Sequence, residues 1–377
     1  MLPCHRGRCT RRAHAAPAAM SGLLLWATVA AAQPPARRGA GNAEPPRGLV
    51  VVVENKPQQD HLDLRSLNKP FISGIALQIH WGDIERVEGK PDWSKLDQLF
   101  AAADSSKKWV QLLIFPGFFS PPWALEGVQI QQFSIPYGPG HGTPMSLPMP
   151  WDKVYLDRWF AFVKQLSARY GASPAFRVVA AAGPTSVSVE ASLPATPEDL
   201  KTWQGLAYRP SRYIAAWKTV FDTYAADFPN QFVSLSQGAG LHIDESGGID
   251  GREQRRTPQA LVEQAMQSLG NRFVLQMSDV HAGPGPHVAN SKQEEQFVIG
   301  YIGRAITGFQ LRTSAELGSA VMGADGDPPQ ALKKSLDLAL LPNSAGQHVD
   351  YVEIYEPDVV ADDLQSALHD AAAAFAR

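Results

Sequence analysis

From residue 49 onward, short apolar runs alternate with longer stretches in which apolar residues recur every three to four positions. Short apolar runs suit strands buried on both faces. The longer period suits helices with one buried stripe. Eight runs stand out: Leu49–Val53, Ile72–Ile79, Trp109–Phe115, Phe176–Ala182, Phe232–Ser236, Phe273–Met277, Ile306–Leu311 and Tyr351–Tyr355. Between them lie helical stripes such as Leu96, Leu99, Phe100 and Ala103, or Leu156, Trp159, Phe160, Val163 and Leu166. A third stripe, Tyr213, Trp217, Val220, Phe221, Tyr224 and Phe228, precedes the fifth run, and Leu364, Ala367, Leu368 and Ala371 close the chain. Thr257-Pro258 and Asp327-Pro328 each read as an N-cap followed by proline at the first helical position.

Strand–helix alternation predicts a parallel sheet, because parallel neighbours need a crossover. Eight strands close most simply into a (β/α)8 TIM barrel of the α/β class, one domain over residues 49–377. An open doubly wound sheet is the alternative. No Gly-x-Gly-x-x-Gly follows the first strand and no Walker loop occurs, so no motif supports a nucleotide cofactor, and none is expected.

The pattern differs before residue 49. Arg6, Arg8, Arg11 and Arg12 precede an apolar run from Leu23 to Ala31, and Ala30-Ala31-Ala32 offers a cleavage site before Gln33. Residues 1–32 therefore read as a signal peptide for a secreted or periplasmic protein. Residues 33–48, rich in Pro, Gly and Arg, read as a disordered linker. Cys4 and Cys9 both lie in the leader, so the mature chain has no thiol or disulfide chemistry. Removing the leader also removes four Arg and no acid, which takes the 34 basic residues to 30 against 37 acidic. That balance gives no footprint for nucleic acid or an anionic membrane, and no span long enough for a membrane helix follows the leader.

In such barrels chemistry sits at the C-terminal ends of the strands. This rule selects His80, Trp81, Asp83 and Glu85 after the second strand, Glu190 after the fourth, and Gln237, His242 and Asp244 after the fifth. It also selects Ser278, Asp279 and His281 after the sixth, Gln310, Arg312 and Glu316 after the seventh, and Glu353, Tyr355, Glu356 and Asp358 on and after the eighth. The loop from Pro116 to Pro150 is long and rich in Pro, Gly and aromatics, and long loops inside compact domains are usually functional. Trp81, Phe118, Phe119, Trp123, Tyr137 and Trp151 lie in or near it. Their flat faces suit the apolar faces of sugar rings.

The stretch GIALQIHWGDIERVEGKPDWSKLDQLFAAA, residues 74–103, resembles the second-strand region of clan A glycoside hydrolases, and in particular the β-galactosidase-like branch around family 42. There a strand ends in Trp, an acid follows, and a Gly-x-x-Asp-Trp turn opens the next helix. WVQLLIFPGFFSPPWAL resembles that family's third strand and Pro-Trp loop, and VVAAAGPTSVSVEASLP occupies its fourth-strand position. The resemblance implies a glycosidase with Glu190 as acid/base, and a carbohydrate as the partner. Two departures follow. Val189, not Asn, precedes Glu190, and the seventh strand, where the clan carries its nucleophilic Glu, reads ITGFQLRT with Gln310 and Arg312.

Glycoside cleavage needs one protonated carboxyl and one carboxylate. Glu353, alternating with Val352 and Ile354, is expected to face the barrel interior as second carboxylate or in a buried ion pair with Arg312. Glu316 fits the seventh-strand position. His80, Trp81, Asp83, Trp123, Gln237, His242, Asp279, Gln310, Arg312 and Tyr355 are expected to bind substrate. His242-x-Asp244, Asp279-x-His281 and His287 form no compact ligand set, so no metal is expected. Two rivals stand beside the hydrolase: a noncatalytic carbohydrate-binding barrel without the seventh-strand nucleophile, and a hydrolase or lyase with metal-assisted chemistry.

Overall fold

The computed structural model describes residues 44–136, 140–284 and 288–376. The expected leader, Tyr137 and His287 lie outside them. The strands are β1 (Gly48–Glu54), β2 (Ile72–His80), β3 (Trp109–Phe115), β4 (Ile130–Ser134), β5 (Pro144–Pro148), β6 (Phe176–Ala180), β7 (Phe232–Ser236), β8 (Phe273–Val280), β9 (Ile306–Leu311) and β10 (Tyr351–Tyr355). Eight of them form a closed parallel barrel in the order β1-β10-β9-β8-β7-β6-β3-β2. The fold is a (β/α)8 TIM barrel. All eight barrel strands coincide with the apolar runs, and strands β3, β7, β9 and β10 do so to the residue.

Helices cover the outside and bury the predicted stripes. Ser94–Ser106 buries Leu96, Leu99, Phe100 and Ala103. Lys153–Tyr170 buries Tyr155, Leu156, Trp159, Phe162, Val163 and Leu166, whereas Phe160 is only half-buried. The expected helix start at Thr257-Pro258 is wrong: the helix runs Glu253–Leu269 with Pro258 inside it. Proline has no N–H for the Gln254 carbonyl one turn back, and the Gly240 N–H serves that carbonyl instead at 3.1 Å. The start at Asp327-Pro328 holds, with the Asp327 side chain accepting from the Gln330 N–H. The linker expected to reach residue 48 ends earlier, since Pro46 is buried and Gly48 is already paired in β1.

At the N-terminal end the barrel interior is filled by aromatic rings opposite glycines. Trp109 and Tyr351 meet edge to face with centroids 5.9 Å apart. A Cβ on Gly74 would lie 2.5 Å from the Trp109 ring, and one on Gly308 2.2 Å from the Tyr351 ring. Such ring–glycine pairs admit no added methyl. Gly308→Ala is therefore expected to destabilise the fold by about 1–3 kcal/mol or more, read as a lower midpoint in urea unfolding. Above this layer the interior turns polar. Gln111 Nε2 donates to Gln276 Oε1 at 2.8 Å, and Tyr351 Oη donates to the same oxygen at 2.9 Å.

The long loop after β3 is not irregular throughout. It holds the antiparallel pair β4–β5, with Gln132 opposite Ser146. Phe133 of this pair is buried against Trp203, rings stacked 4.6 Å apart. Among the described residues no helix is long and apolar enough to cross a membrane.

Candidate active site

Parallel strands deliver their last residues to one face, and the fourth barrel strand does so by a detour. In ladder register β6 pairs Val178 with Phe232 and Ala180 with Ser234, so a straight continuation would set Ala182 opposite Ser236. Glu190 occupies that place: it forms a parallel bridge with Ser236, and the Ala191 N–H donates to the Ser236 carbonyl at 2.9 Å. The intervening residues leave the barrel and return. Trp159 Nε1 holds the Ala182 carbonyl at 2.7 Å, Tyr213 Oη holds that of Pro184 at 3.1 Å, and the Phe118 N–H holds that of Ser186 at 3.0 Å. Gly117, at φ +62°, permits the last contact, since a Cβ there would lie 2.3 Å from the Ser186 oxygen. Glu190 is half-buried at the mouth.

A second carboxyl group, one that feels the Glu190 charge, lies on a helix the apolar pattern did not reveal. Glu294 lies on Val288–Ile299, which follows β8, and is half-buried. Burial first, then the negative charges of Glu190, Asp279 and Glu295, push the Glu294 carboxyl up to about 8. Neighbouring Glu295 is buried, its Oε1 has no partner among the described residues, and burial pushes it up to about 7. Asp279 at the end of β8 pairs with Arg312 at 3.0 Å, both about one-third exposed.

The other two candidate acids sit elsewhere. Glu353 is fully enclosed in the barrel interior, where Gln310 Nε2 donates to its Oε2 at 2.9 Å. The expected ion pair with Arg312 is replaced by this amide contact, because Arg312 turns to Asp279. Burial pushes Glu353 up to about 8, against the donors Gln276 and Gln310. A sealed carboxyl of this kind does not touch a sugar, which corrects its place among the second carboxylates. Glu316 is exposed on the rim, where its N–H and that of Ala315 donate to the buried Asp358 at the start of the helix Ala315–Met322.

The expected substrate-binding residues divide likewise. His80 stacks on Phe119 with centroids 3.8 Å apart and planes 5° from parallel, and lies 3.6 Å from Asp83. Burial lowers the His80 pKa, against the nearby Asp83 charge, which raises it. Asp83 accepts from Asn55 Nδ2 at 2.9 Å, and Lys95 Nζ donates to Asn55 Oδ1 at 2.6 Å. Trp81 is not at the mouth. It is fully buried among Trp123, Trp159 and Phe162, with its Nε1 on Glu85 Oε2 at 2.9 Å. Trp123 is half-buried and donates to the Glu85 carbonyl at 2.9 Å. Gln237 is buried, with its Oε1 unpartnered among the described residues, and Gln310 is buried against Glu353. Tyr355 is partly exposed at the end of β10, and His242 is half-buried in the loop after β7. Among the described residues no three His, Cys, Asp or Glu side chains gather as a metal site.

A cleft of about 1100 Å³ opens at the opposite end, lined by Arg47, Phe71, Trp109 and Arg177 among others. It lies at the strand starts, the end of such barrels associated with stability and not with chemistry.

The sequence matches no protein-family model and no curated protein. The likeness is structural. The barrel is similar to a β-galactosidase from the psychrophilic Marinomonas ef1, with TM-score 0.51 and 12% identity over 86% of this chain and 59% of that one. It is also similar to the exo-β-1,4-mannosidase Op5Man5 from Opitutaceae bacterium strain TAV5, with TM-score 0.50 and 13% identity over 90% of this chain and 61% of that one. The chain thus spans about three fifths of each, and at such identities the likeness is one of fold.

Proposed function

We propose that this protein is an exported O-glycoside hydrolase that cleaves an oligo- or polysaccharide at the C-terminal mouth of its barrel. The observation that carries the reading is the return of Glu190 to the end of the fourth barrel strand after its detour. Glu294 is the second carboxyl. A carboxyl held protonated beside a charged one can form a donor and a charged partner. Glu294, kept protonated by burial and by the Glu190 charge, donates to the leaving oxygen. Glu190 acts as nucleophile or as base for water, in place of the acid/base role that the clan A resemblance implies. His80, Phe119 and Trp123 offer ring faces to the sugar, and Asp83, Gln237 and Tyr355 offer polar atoms. Glu353 supports the site from below without reaching the sugar. Both fold neighbours are glycosidases by name, which is analogy at the level of fold.

One observation favours a second reading, a sugar-binding barrel without turnover: the seventh barrel strand presents Gln310 and Arg312 where the clan carries its nucleophile. Incubation of the wild-type protein with a panel of oligosaccharides separates the two. The hydrolase releases new reducing ends, and does so unchanged in the presence of a chelator. The binding barrel retains sugars and releases none.

A further inference from the structure

We propose that the cleft at the strand starts is a binding site for an organic anion, a molecule that carries one carboxylate on an apolar body. The inference stands apart from the reading of the mouth, which lies at the other end of the barrel.

Two register shifts aim polar side chains into this cleft. Along β1 and β2, Leu49 pairs with Ile72 and Val50 with Gly74, so Ser73 is an extra residue in β2. Along β3 and β6, Val110 pairs with Phe176 and Gln111 with Val178, so Arg177 is an extra residue in β6. Such bulges are rare in parallel ladders, and they re-aim the side chain of the residue they leave unpaired. Ser73 and Arg177 both line the cleft. Gly48 makes room for the first: it sits at φ +99°, and a Cβ there would lie 2.2 Å from Ser73 Oγ. Arg177 lies over the Trp109 ring, 5.9 Å from its centroid.

The Arg177 guanidinium is half-buried, and among the described residues no oxygen accepts a hydrogen bond from it. A desolvated guanidinium without an acceptor is unfavourable, and its planar fork matches a carboxylate. Burial lowers the Arg177 pKa, against the charge of Glu44, which is exposed. The other carboxylates of the cleft are Asp350, which accepts from the Thr307 N–H at 2.9 Å, and Asp104, which is exposed. Arg47 and Lys107 add cations at exposed positions, whereas Lys108 is turned to the carbonyls of Lys69 and Ile72. Phe71, Ile72, Ala175 and Phe375 supply apolar wall. A volume of about 1100 Å³ suits an organic molecule and is too large for a bare ion.

The test is isothermal titration calorimetry of the full chain with octanoate, octanamide and inorganic phosphate at neutral pH. Octanoate is expected to bind at least about tenfold more tightly than octanamide, which has the same body and no charge. Phosphate, which has charge and no body, should bind more weakly than octanoate. Arg177→Met keeps an unbranched chain against Trp109 and should lower octanoate affinity about tenfold or more. Arg47→Gln and Lys107→Gln, at exposed positions, should each lower it about threefold, and they keep the test decisive if Arg177→Met does not fold. Equal binding of octanoate and octanamide overturns the proposal, as does phosphate binding as tight as that of octanoate. Failure of octanoate to bind, or binding that none of the three variants weakens, overturns it too.

Discussion

Glu190→Gln is expected to lower kcat about 10²- to 10⁴-fold while leaving oligosaccharide affinity within a few-fold of wild type. The substitution removes the Glu190 charge, and with it one of the causes that hold Glu294 protonated. The backbone at residue 190 is fixed by its bridge to Ser236 and by the neighbouring Ala191–Ser236 hydrogen bond, neither of which involves the side chain. Gln matches Glu in shape and keeps an acceptor oxygen, so the mouth stays formed and the sugar still binds. It has no negative charge to attack the anomeric carbon or activate water. Steady-state kinetics beside a binding isotherm on the same oligosaccharide separates this outcome from a folding defect, which would damage both. A variant that turns over within about twofold of wild type removes Glu190 from the chemistry.

Glu353→Gln is expected to stabilise the barrel above neutral pH. The native carboxyl is pushed up to about 8, whereas in the unfolded chain it sits near the ordinary value of 4.5. Between those values the folded state binds more protons than the unfolded state. The contribution of Glu353 is therefore fully present below about pH 4.5, declines as pH rises, and is lost by about pH 8. Each unit of difference corresponds to about 1.4 kcal/mol, so several kcal/mol are at stake across this window. Gln at 353 cannot ionise and keeps an oxygen for the Gln310 amide. The variant should melt several degrees above wild type at about pH 8.5 and close to it at pH 5, read by thermal denaturation at both values. Equal pH dependence in the two proteins would show that Glu353 ionises without cost and lies in a wetter place than its enclosure indicates.

The barrel was legible because its signal is local and repeated. Each of the eight strands is a short, mostly apolar run, as burial on both faces of a strand favours. Helix boundaries were less so. Pro258 looks like a helix start from its neighbours alone, and only the distant Gly240 N–H makes a start at Glu253 tolerable. Glu190 was found from strand order, although Val189 precedes it where the clan carries Asn. What recovers its position is a set of long-range bonds from Trp159, Tyr213 and Phe118 that no spacing reveals. Glu294 was missed because the helix carrying it has no clear apolar stripe, and two adjacent acids in SKQEEQ look like a solvated face. Trp81 was misread because a strand-end tryptophan beside a mouth and one under it have the same neighbours in sequence. The buried glutamines were visible, since Gln111 and Gln276 interrupt the apolar runs WVQLLIF and FVLQMS. Their partners, which sit across the barrel, were not.

The central claim is a working pair of carboxyls in which Glu294 holds the proton and Glu190 the charge. The most direct test is the pH dependence of kcat/KM for wild type and Glu294→Gln on the same oligosaccharide. The wild-type rate should fall on the alkaline side with an apparent pKa near the value of about 8 at which Glu294 titrates. Glu294→Gln should be slower by about 10² or more and should lack that limb. A variant that keeps the wild-type rate and the wild-type alkaline limb would contradict the pair, because another group would then be supplying the proton.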